Sequence, residues 1–138
     1  MLFNGDTLFK EVWIMNRHEF IVCTLVKTGF RVSLKGFAQF CMCIEMYLDG
    51  GSPTIESIYE KVALRTACTA SAVEKNLRRL FLSSDACRAV GKLYGIDYTD
   101  CGNKQIIAMF ANYISMNSPK YSATCAERFS EMKRMAEG

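Results

Sequence analysis

The sequence predicts an all-α protein of about six helices, and three observations support this prediction. Apolar residues recur at intervals of three and four along most of the chain, which is the period of an amphipathic helix. β-branched residues are not concentrated in alternating runs, so strands are not indicated. Only two of the 138 residues are proline, and half are hydrophobic. A chain of this length can form one domain with a hydrophobic core but is short for two domains.

Turn residues and caps divide the first half of the chain into three helices. Residues 1 to about 15 are ambiguous and could add a turn or two of helix. A first secure helix ends at Gly29, a plausible C′ glycine. An extended linker leads to a second helix over about 35–48, which is apolar on several faces and is therefore expected to be central. The run 49–52 stops it, and a third helix follows over about 54–64.

The stretch 66–80, TACTASAVEKNLRRL, predicts a polar turn followed by a fourth helix with two faces. Lys75, Arg78 and Arg79 share one face, roughly opposite an apolar stripe. Two helices joined by about four residues, the second of them basic, form a helix-turn-helix candidate whose second helix suits a major groove. A solvated surface helix carries the same pattern. The apolar stripe consists of Val73, Leu77, Leu80 and Phe81.

The start of the fourth helix has two possible caps. Ser71 and Glu74 have the S-x-x-E spacing of a capping box, and Thr69 is a rival N-cap. Glu74 therefore has two interpretations, a local cap or a carboxylate that accepts from a cytosine amino group. The residues alone leave both open.

Two more helices complete the predicted domain. The fifth covers about 85–94 and ends at Gly95, and the sixth runs from Asn103, as its cap, to about residue 116. Pro119 then breaks the chain before a short, weakly amphipathic tail helix.

The expected domain organisation has three parts. An N-terminal extension covers 1–16, the helix-turn-helix domain covers 17–116, and a C-terminal extension with the tail helix covers 117–138.

Charge is unevenly distributed along the chain. The formal net charge is only +3, but residues 61–92 carry seven basic residues against two acidic ones, a local net charge of +5. The remainder of the chain has a net charge of −2. A basic centre on a mildly acidic body indicates one face that binds a polyanion.

Catalytic and metal-binding patterns are not found. There is no G-x-S-x-G, glycine-rich phosphate loop or H-E-x-x-H, and His18 is the only histidine, so we expect no enzyme. The seven cysteines are irregularly spaced without a CxxC, which indicates reduced core thiols of a cytosolic protein, with no metal and no cofactor.

No membrane or secretory segment is expected. The N-terminus lacks the basic region of a signal peptide, and the most apolar segment, 37–48, is too short to span a bilayer. We therefore expect a soluble cytoplasmic protein, associated with the nucleoid if it binds DNA.

The order of motifs resembles the C-terminal effector domain of the stage-zero sporulation protein A family, the response regulators that commit endospore-forming bacteria to sporulation. The family pattern is a G-x-x-x-x-x-K-G-[YF] entry to the second helix, a T-T-A-S-x-V-E-R-x-I-R recognition unit and a T-N-x-x-F-I-A-M last helix. The resemblance covers about 17–116. It rests on GFRVSLKGFAQF, SIYEKVALRTACTASAVEKNLRRL, KLYG and GNKQIIAMFANYI, in the family's order.

The resemblance implies an all-α, winged-helix-free domain of about six helices that binds a short asymmetric DNA box, head-to-tail on tandem sites. Glu74 falls on the family's glutamate, Lys75 and Arg78 on its two arginines, and Arg79 where histidine is usual. The resemblance implies that these four contact bases and nearby phosphates. Chemistry agrees, because lysine and arginine suit guanine O6 and N7, and only arginine offers a rigid fork.

Other residues are candidates for phosphate contacts. Thr69 and Ser71 lie at the start of the recognition helix, where free backbone N–H groups favour a phosphate. The weaker candidates are Lys35, Arg88, Lys92 and Lys104.

The chain also departs from the family pattern. Family members carry a receiver domain, whereas about 16 residues precede the match here, as expected for a stand-alone effector-like protein or a piece of a longer one. An alternative function is a protein-interaction module that modulates a full-length regulator or a sigma subunit of RNA polymerase. It would use the apolar termini around Trp13 and Phe129.

Overall fold

The computed structural model describes residues 16–51 and 53–118, and within them it contains six α-helices, one short 3₁₀ helix and no strand. The prediction of an all-α fold with about six helices is confirmed. None of these helices is both long and apolar enough to cross a membrane. The elements are α1 (Arg17–Thr28), α2 (Lys35–Leu48), α3 (Ile55–Thr66), α4 (Ala70–Ser83), α5 (Ala86–Tyr94), the 3₁₀ helix η1 (Tyr98–Asp100) and α6 (Asn103–Asn117).

Helix α2 is the centre of the fold, as its apolar faces predicted. It packs against α1, α3, α4 and α6. Phe40, in its middle, is completely buried and makes edge-to-face contacts with three other rings at centroid distances of 4.8–5.5 Å. Those rings belong to Phe30, Phe81 on α4 and Phe110 on α6. Such contacts stabilise by about 0.5–1.5 kcal/mol each beyond the area they bury, so this aromatic cluster joins three helices.

The helix ends follow their predicted caps with two differences. Gly29 and Gly95 end α1 and α5 in the left-handed conformation, as predicted. Helix α3 continues two residues beyond the predicted Leu64, because Ala67 takes the left-handed position that ends it. Asn103 was predicted as the cap of α6, which is wrong: Gly102 occupies that position and Asn103 is buried in the helix's first turn.

The predicted extensions lie largely outside the described residues. The ambiguous N-terminal turns, the tail helix, Trp13 and Phe129 all belong to 1–15 or 119–138. The cysteines within the described ranges are free thiols, and three of them, Cys41, Cys43 and Cys87, are buried in the core.

Candidate nucleic-acid interface

Helices α3 and α4 form a helix-turn-helix with a three-residue connection. Ala67 turns the chain at φ 54° and ψ 48°, and the N–H groups of Ala67 and Cys68 both donate to the carbonyl of Ala63. Thr69 then caps α4, its hydroxyl accepting from the backbone N–H of Ala72 at 3.1 Å. The turn is tight because every residue in it satisfies the end of one helix or the start of the other.

The structure shows which of the two candidate caps begins α4, Thr69 or the capping box of Ser71 and Glu74. Thr69, the rival candidate, is the N-cap, and the capping box of Ser71 and Glu74 is not formed. Ser71 is exposed in the first turn of the helix. Glu74 is also exposed, so its carboxylate is available to a partner outside the chain.

Helix α4 separates its residues into two faces, as its sequence predicted. The stripe of Val73, Leu77, Leu80 and Phe81 is completely buried. On the outer face, Glu74, Lys75 and Arg79 are exposed and form no salt bridge with any other described residue. Their charges are therefore not neutralised by direct ion pairs in the described part of the chain.

Arg78 differs from its three neighbours on α4. Its side chain is half-buried, and Nη1 donates a 2.9 Å hydrogen bond to the backbone carbonyl of Cys101, in the segment before α6. A guanidinium has five N–H donors in a planar fork, so this bond orients the group and leaves other donors for a partner. Arg78 is thus a fixed cation, whereas no side-chain hydrogen bond from another described residue holds Lys75 or Arg79.

A groove of about 450 Å³ lies between α4 and the segment before α6. Its charges are mixed: the carboxylates of Glu74 and Asp100 lie near the cations of Lys75 and Arg78. A simple anion would be both attracted and repelled there, so the groove is not a plain phosphate pocket. Its lining consists of Tyr59, Glu74, Lys75, Arg78, Thr99, Asp100, Cys101, Gly102 and Asn103.

Asn103 is a residue of this site that sequence reasoning did not identify. It is 8% exposed, and its Nδ2 donates both to the Tyr59 hydroxyl at 3.0 Å and to the backbone carbonyl of Glu74 at 3.1 Å. Its Oδ1 is buried and has no hydrogen-bond partner among the residues that the structure describes. Burial raises the pKa of Tyr59, while the hydrogen bond with Asn103 opposes the rise. One residue therefore bonds the start of α6 to both helices of the helix-turn-helix.

A second group of polar side chains fixes α4 from its other side. The buried amide of Gln39, on α2, donates to the Thr66 hydroxyl at 3.1 Å and accepts from the amide of Asn76, on α4, at 3.1 Å. Gly36 lies one turn earlier on α2, where a Cβ would overlap the carbonyl of Asn76. Residues 37 positions apart in sequence meet here, a contact that helical periodicity cannot indicate.

The phosphate candidates fall into two groups. Lys35 begins α2 beside Gly36, and Lys104 follows Asn103, so both exposed lysines come next to residues that contact α4. Thr69 and Ser71 lie at the start of α4 itself. All four residues are exposed to solvent.

Arg88 and Lys92 lie elsewhere, on α5. They line a second groove of about 300 Å³ together with Asp97. Hydrogen bonds from the hydroxyl and backbone N–H of Thr99 lower the pKa of Asp97, which stays ionised at neutral pH. The carboxylate of Asp97 would repel a phosphate in this groove, so Arg88 and Lys92 are less suited to phosphate contacts than the residues near α4.

No protein-family model, curated protein or solved structure matches this chain. Among the described residues, no group of three or more histidine, cysteine, aspartate or glutamate side chains is placed to hold a metal ion.

Proposed function

We propose that this chain is a sequence-specific DNA-binding transcription regulator in which α4 enters the major groove. The observation that carries the proposal is the outer face of α4. Glu74, Lys75 and Arg79 are exposed there and form no ion pair within the described part of the chain. They lie next to the fixed guanidinium of Arg78, while the opposite stripe is completely buried. A helix held firmly by one face, with acidic and basic hydrogen-bonding groups on the other, has the chemistry needed to distinguish base edges.

In this proposal the four residues have different roles. Arg78 pairs with guanine, because its guanidinium is already oriented and so loses little freedom on binding. Lys75 and Arg79 contact bases or neighbouring phosphates from either side of it. Glu74 accepts from a cytosine amino group, since its carboxylate has no role as a helix cap.

Affinity would come largely from phosphate contacts and the release of counterions. We assign four residues to the DNA backbone on either side of the major groove. Thr69 and Ser71 lie at the start of α4, and Lys35 and Lys104 are exposed next to Gly36 and Asn103, which contact α4. Arg88 and Lys92 would contribute only where a phosphate approaches far enough from Asp97.

The resemblance to sporulation-regulator effector domains supports the same function and adds further proposals. These are head-to-tail binding on tandem sites, contact with a sigma subunit of RNA polymerase, a cytoplasmic and nucleoid-associated location, and no catalytic activity. Double-stranded DNA is the partner that the α4 surface itself supports.

The proposal is tested by fluorescence anisotropy in a salt series. One duplex carries the box bound by sporulation-regulator effector domains, a second is scrambled, and a selection from random duplexes covers a shifted preference. We expect the preferred duplex to bind at least about 10³-fold more tightly than the scrambled one. Equal, weak binding to every duplex, together with a selection that enriches nothing, would refute DNA reading and favour the protein-interaction alternative.

A further inference from the structure

We propose that Asn103 is a positioning residue for DNA reading, which fixes α4 at the position where its outer face can distinguish bases. This inference rests on the proposed function and deepens it. Asn103 does not touch DNA in this proposal. It acts through the backbone of Glu74 and together with the Cys101 carbonyl, which holds Arg78.

The segment 101–103 forms hydrogen bonds with α4 at two positions that lie one turn apart. Asn103 bonds the backbone of Glu74 at 3.1 Å, and the carbonyl of Cys101 accepts from Arg78 at 2.9 Å. Residues four apart share a helix face, so both bonds act on the side of α4 that borders the groove. Two bonds one turn apart restrict rotation of α4 about its own axis as well as its translation.

Asn103 adds a third connection, because the same amide nitrogen donates to the hydroxyl of Tyr59 on α3. Both helices of the helix-turn-helix are therefore hydrogen-bonded to the same side-chain amide at the start of α6. Within the described residues Oδ1 is buried without a partner, and a group of this kind costs stability. We infer that an asparagine occupies this position because its amide holds α4 in place.

The consequence for DNA binding is selective. Hydrogen bonds to base edges require side chains to be within about 0.5 Å of their productive geometry. Attraction to phosphates acts over roughly a Debye length of 10 Å and tolerates small displacements. Releasing α4 from Asn103 should therefore weaken binding to the preferred sequence more than binding to random DNA.

The test compares Asn103→Ala with Asn103→Asp and a matched control. The aspartate keeps the shape but replaces the donating nitrogen with an oxygen that repels the Glu74 carbonyl, and the helix dipole favours its charge at the start of α6. The control is Asn112→Ala, which removes a 2.8 Å bond from Tyr94 to α6 without touching α4. Affinities for the selected and scrambled duplexes are measured at a temperature where circular dichroism shows every variant folded.

We expect both Asn103 variants to lower the ratio of specific to random affinity by about tenfold. This is the effect of losing about one hydrogen bond to a base edge when α4 is displaced. Asn112→Ala should leave the ratio at the wild-type value. Unchanged ratios in both Asn103 variants, while the wild-type protein still selects a sequence, would overturn the positioning role alone. So would an equal fall of the ratio in Asn112→Ala. A wild-type protein that selects no sequence overturns the proposed function and this inference together.

Discussion

The side-chain amide of Asn76 donates a 3.1 Å hydrogen bond to Oε1 of Gln39, which joins the middle of α4 to the buried side of α2. Gly36 lets the two helices approach this closely, because any Cβ at that position would overlap the Asn76 carbonyl and lie 3.2 Å from the Cβ of Leu80. Helix α4 is therefore held by backbone contact and by a partly buried amide pair, and each can be tested separately.

Replacing Gly36 with alanine should destabilise the protein. The added methyl would force α2 and α4 apart, and overpacking of this kind costs about 1–3 kcal/mol, although alanine's better helix propensity returns up to ~1 kcal/mol. Urea unfolding followed by circular dichroism measures the free energy of unfolding.

The matched control is Gly102→Ala, where a Cβ would meet no atom of the described residues within 4 Å. It should change stability by less than about 1 kcal/mol. If Gly36→Ala is as stable as this control, the two helices do not depend on their close approach.

The amide pair should appear as a coupling energy between Gln39 and Asn76. Each single alanine variant leaves a partly buried polar group without its partner, at a cost of about 1–3 kcal/mol. The double variant should lose less than the sum of the singles, by about 0.5–1.5 kcal/mol, because the two groups are removed together. A double-mutant cycle of unfolding free energies measures this difference, and strictly additive losses would show that the 3.1 Å contact contributes nothing.

Ala67→Gly should stabilise the turn of the helix-turn-helix. Ala67 is the one non-glycine residue with positive φ among those described, at 54°. A left-handed alanine costs about 1–2 kcal/mol, and glycine's greater freedom in the unfolded chain offsets about 0.5–1 kcal/mol of the relief. We expect a net gain of roughly 0.5–1 kcal/mol in chemical unfolding.

The control for this substitution is Ala89→Gly, on the exposed side of α5. There the helix is right-handed, so glycine should cost about 0.5–1 kcal/mol. Losses of similar size at both positions would contradict the left-handed strain assigned to Ala67.

Arg78→Ala should weaken binding to the preferred duplex by about 1–3 kcal/mol and relax the preference at one base pair. The reason is the loss of an oriented guanidinium, not only of a charge. Arg88→Ala is the control, because its ion pair with Asp85 is exposed and 3.7 Å long and its side chain lies away from α4. Anisotropy titrations over a panel of single-base variants distinguish the two, and an equal loss on every duplex would mean that Arg78 touches only phosphate.

Stability should fall steeply above pH 9. Burial raises the pKa of Cys41, Cys43 and Cys87 from 9.0 to about 12, so the unfolded chain releases these protons at a pH where the folded chain retains them. The stabilisation is complete below pH 9 and is lost as the pH rises towards 12. Each thiol should contribute about 1.4 kcal/mol per pH unit within that window.

The slope of unfolding free energy against pH, rather than the stability itself, tests this assignment. Cys87→Ala should reduce the slope between pH 9.5 and 11 by the contribution of one thiol, about 1.4 kcal/mol per pH unit. Cys23→Ala, at an exposed position, should leave it unchanged. Equal slopes in the two variants would exclude the buried thiol as a cause.

The local features of this fold could be predicted from the sequence because their causes are local. Gly29 and Gly95 end helices by adopting a left-handed conformation, and the stripe from Val73 to Phe81 is buried because its spacing matches the helix period. The start of α4 was ambiguous, since Thr69 and Ser71 have the same capping chemistry. Only the path of the turn decided that Thr69 accepts from Ala72.

The residues that position the candidate site could not be predicted in this way. Asn103 looks like a helix cap from its neighbours in sequence, yet it bonds to Tyr59 and Glu74, 44 and 29 positions away. Arg78 looks like a free member of a basic face, yet the Cys101 carbonyl orients it. Nothing in the spacing of these residues marks them as partners.

The sequence by itself determined the all-α class, the helix-turn-helix and the charged outer face of α4. Each of these follows from the helical period and from the chemistry of single residues. Only the tertiary structure decided which polar groups fix that face, because a hydrogen bond forms between atoms that the fold brings within about 3 Å, however far apart they are in the chain. The buried amides of Gln39 and Asn103 hold α4 from two sides for this reason.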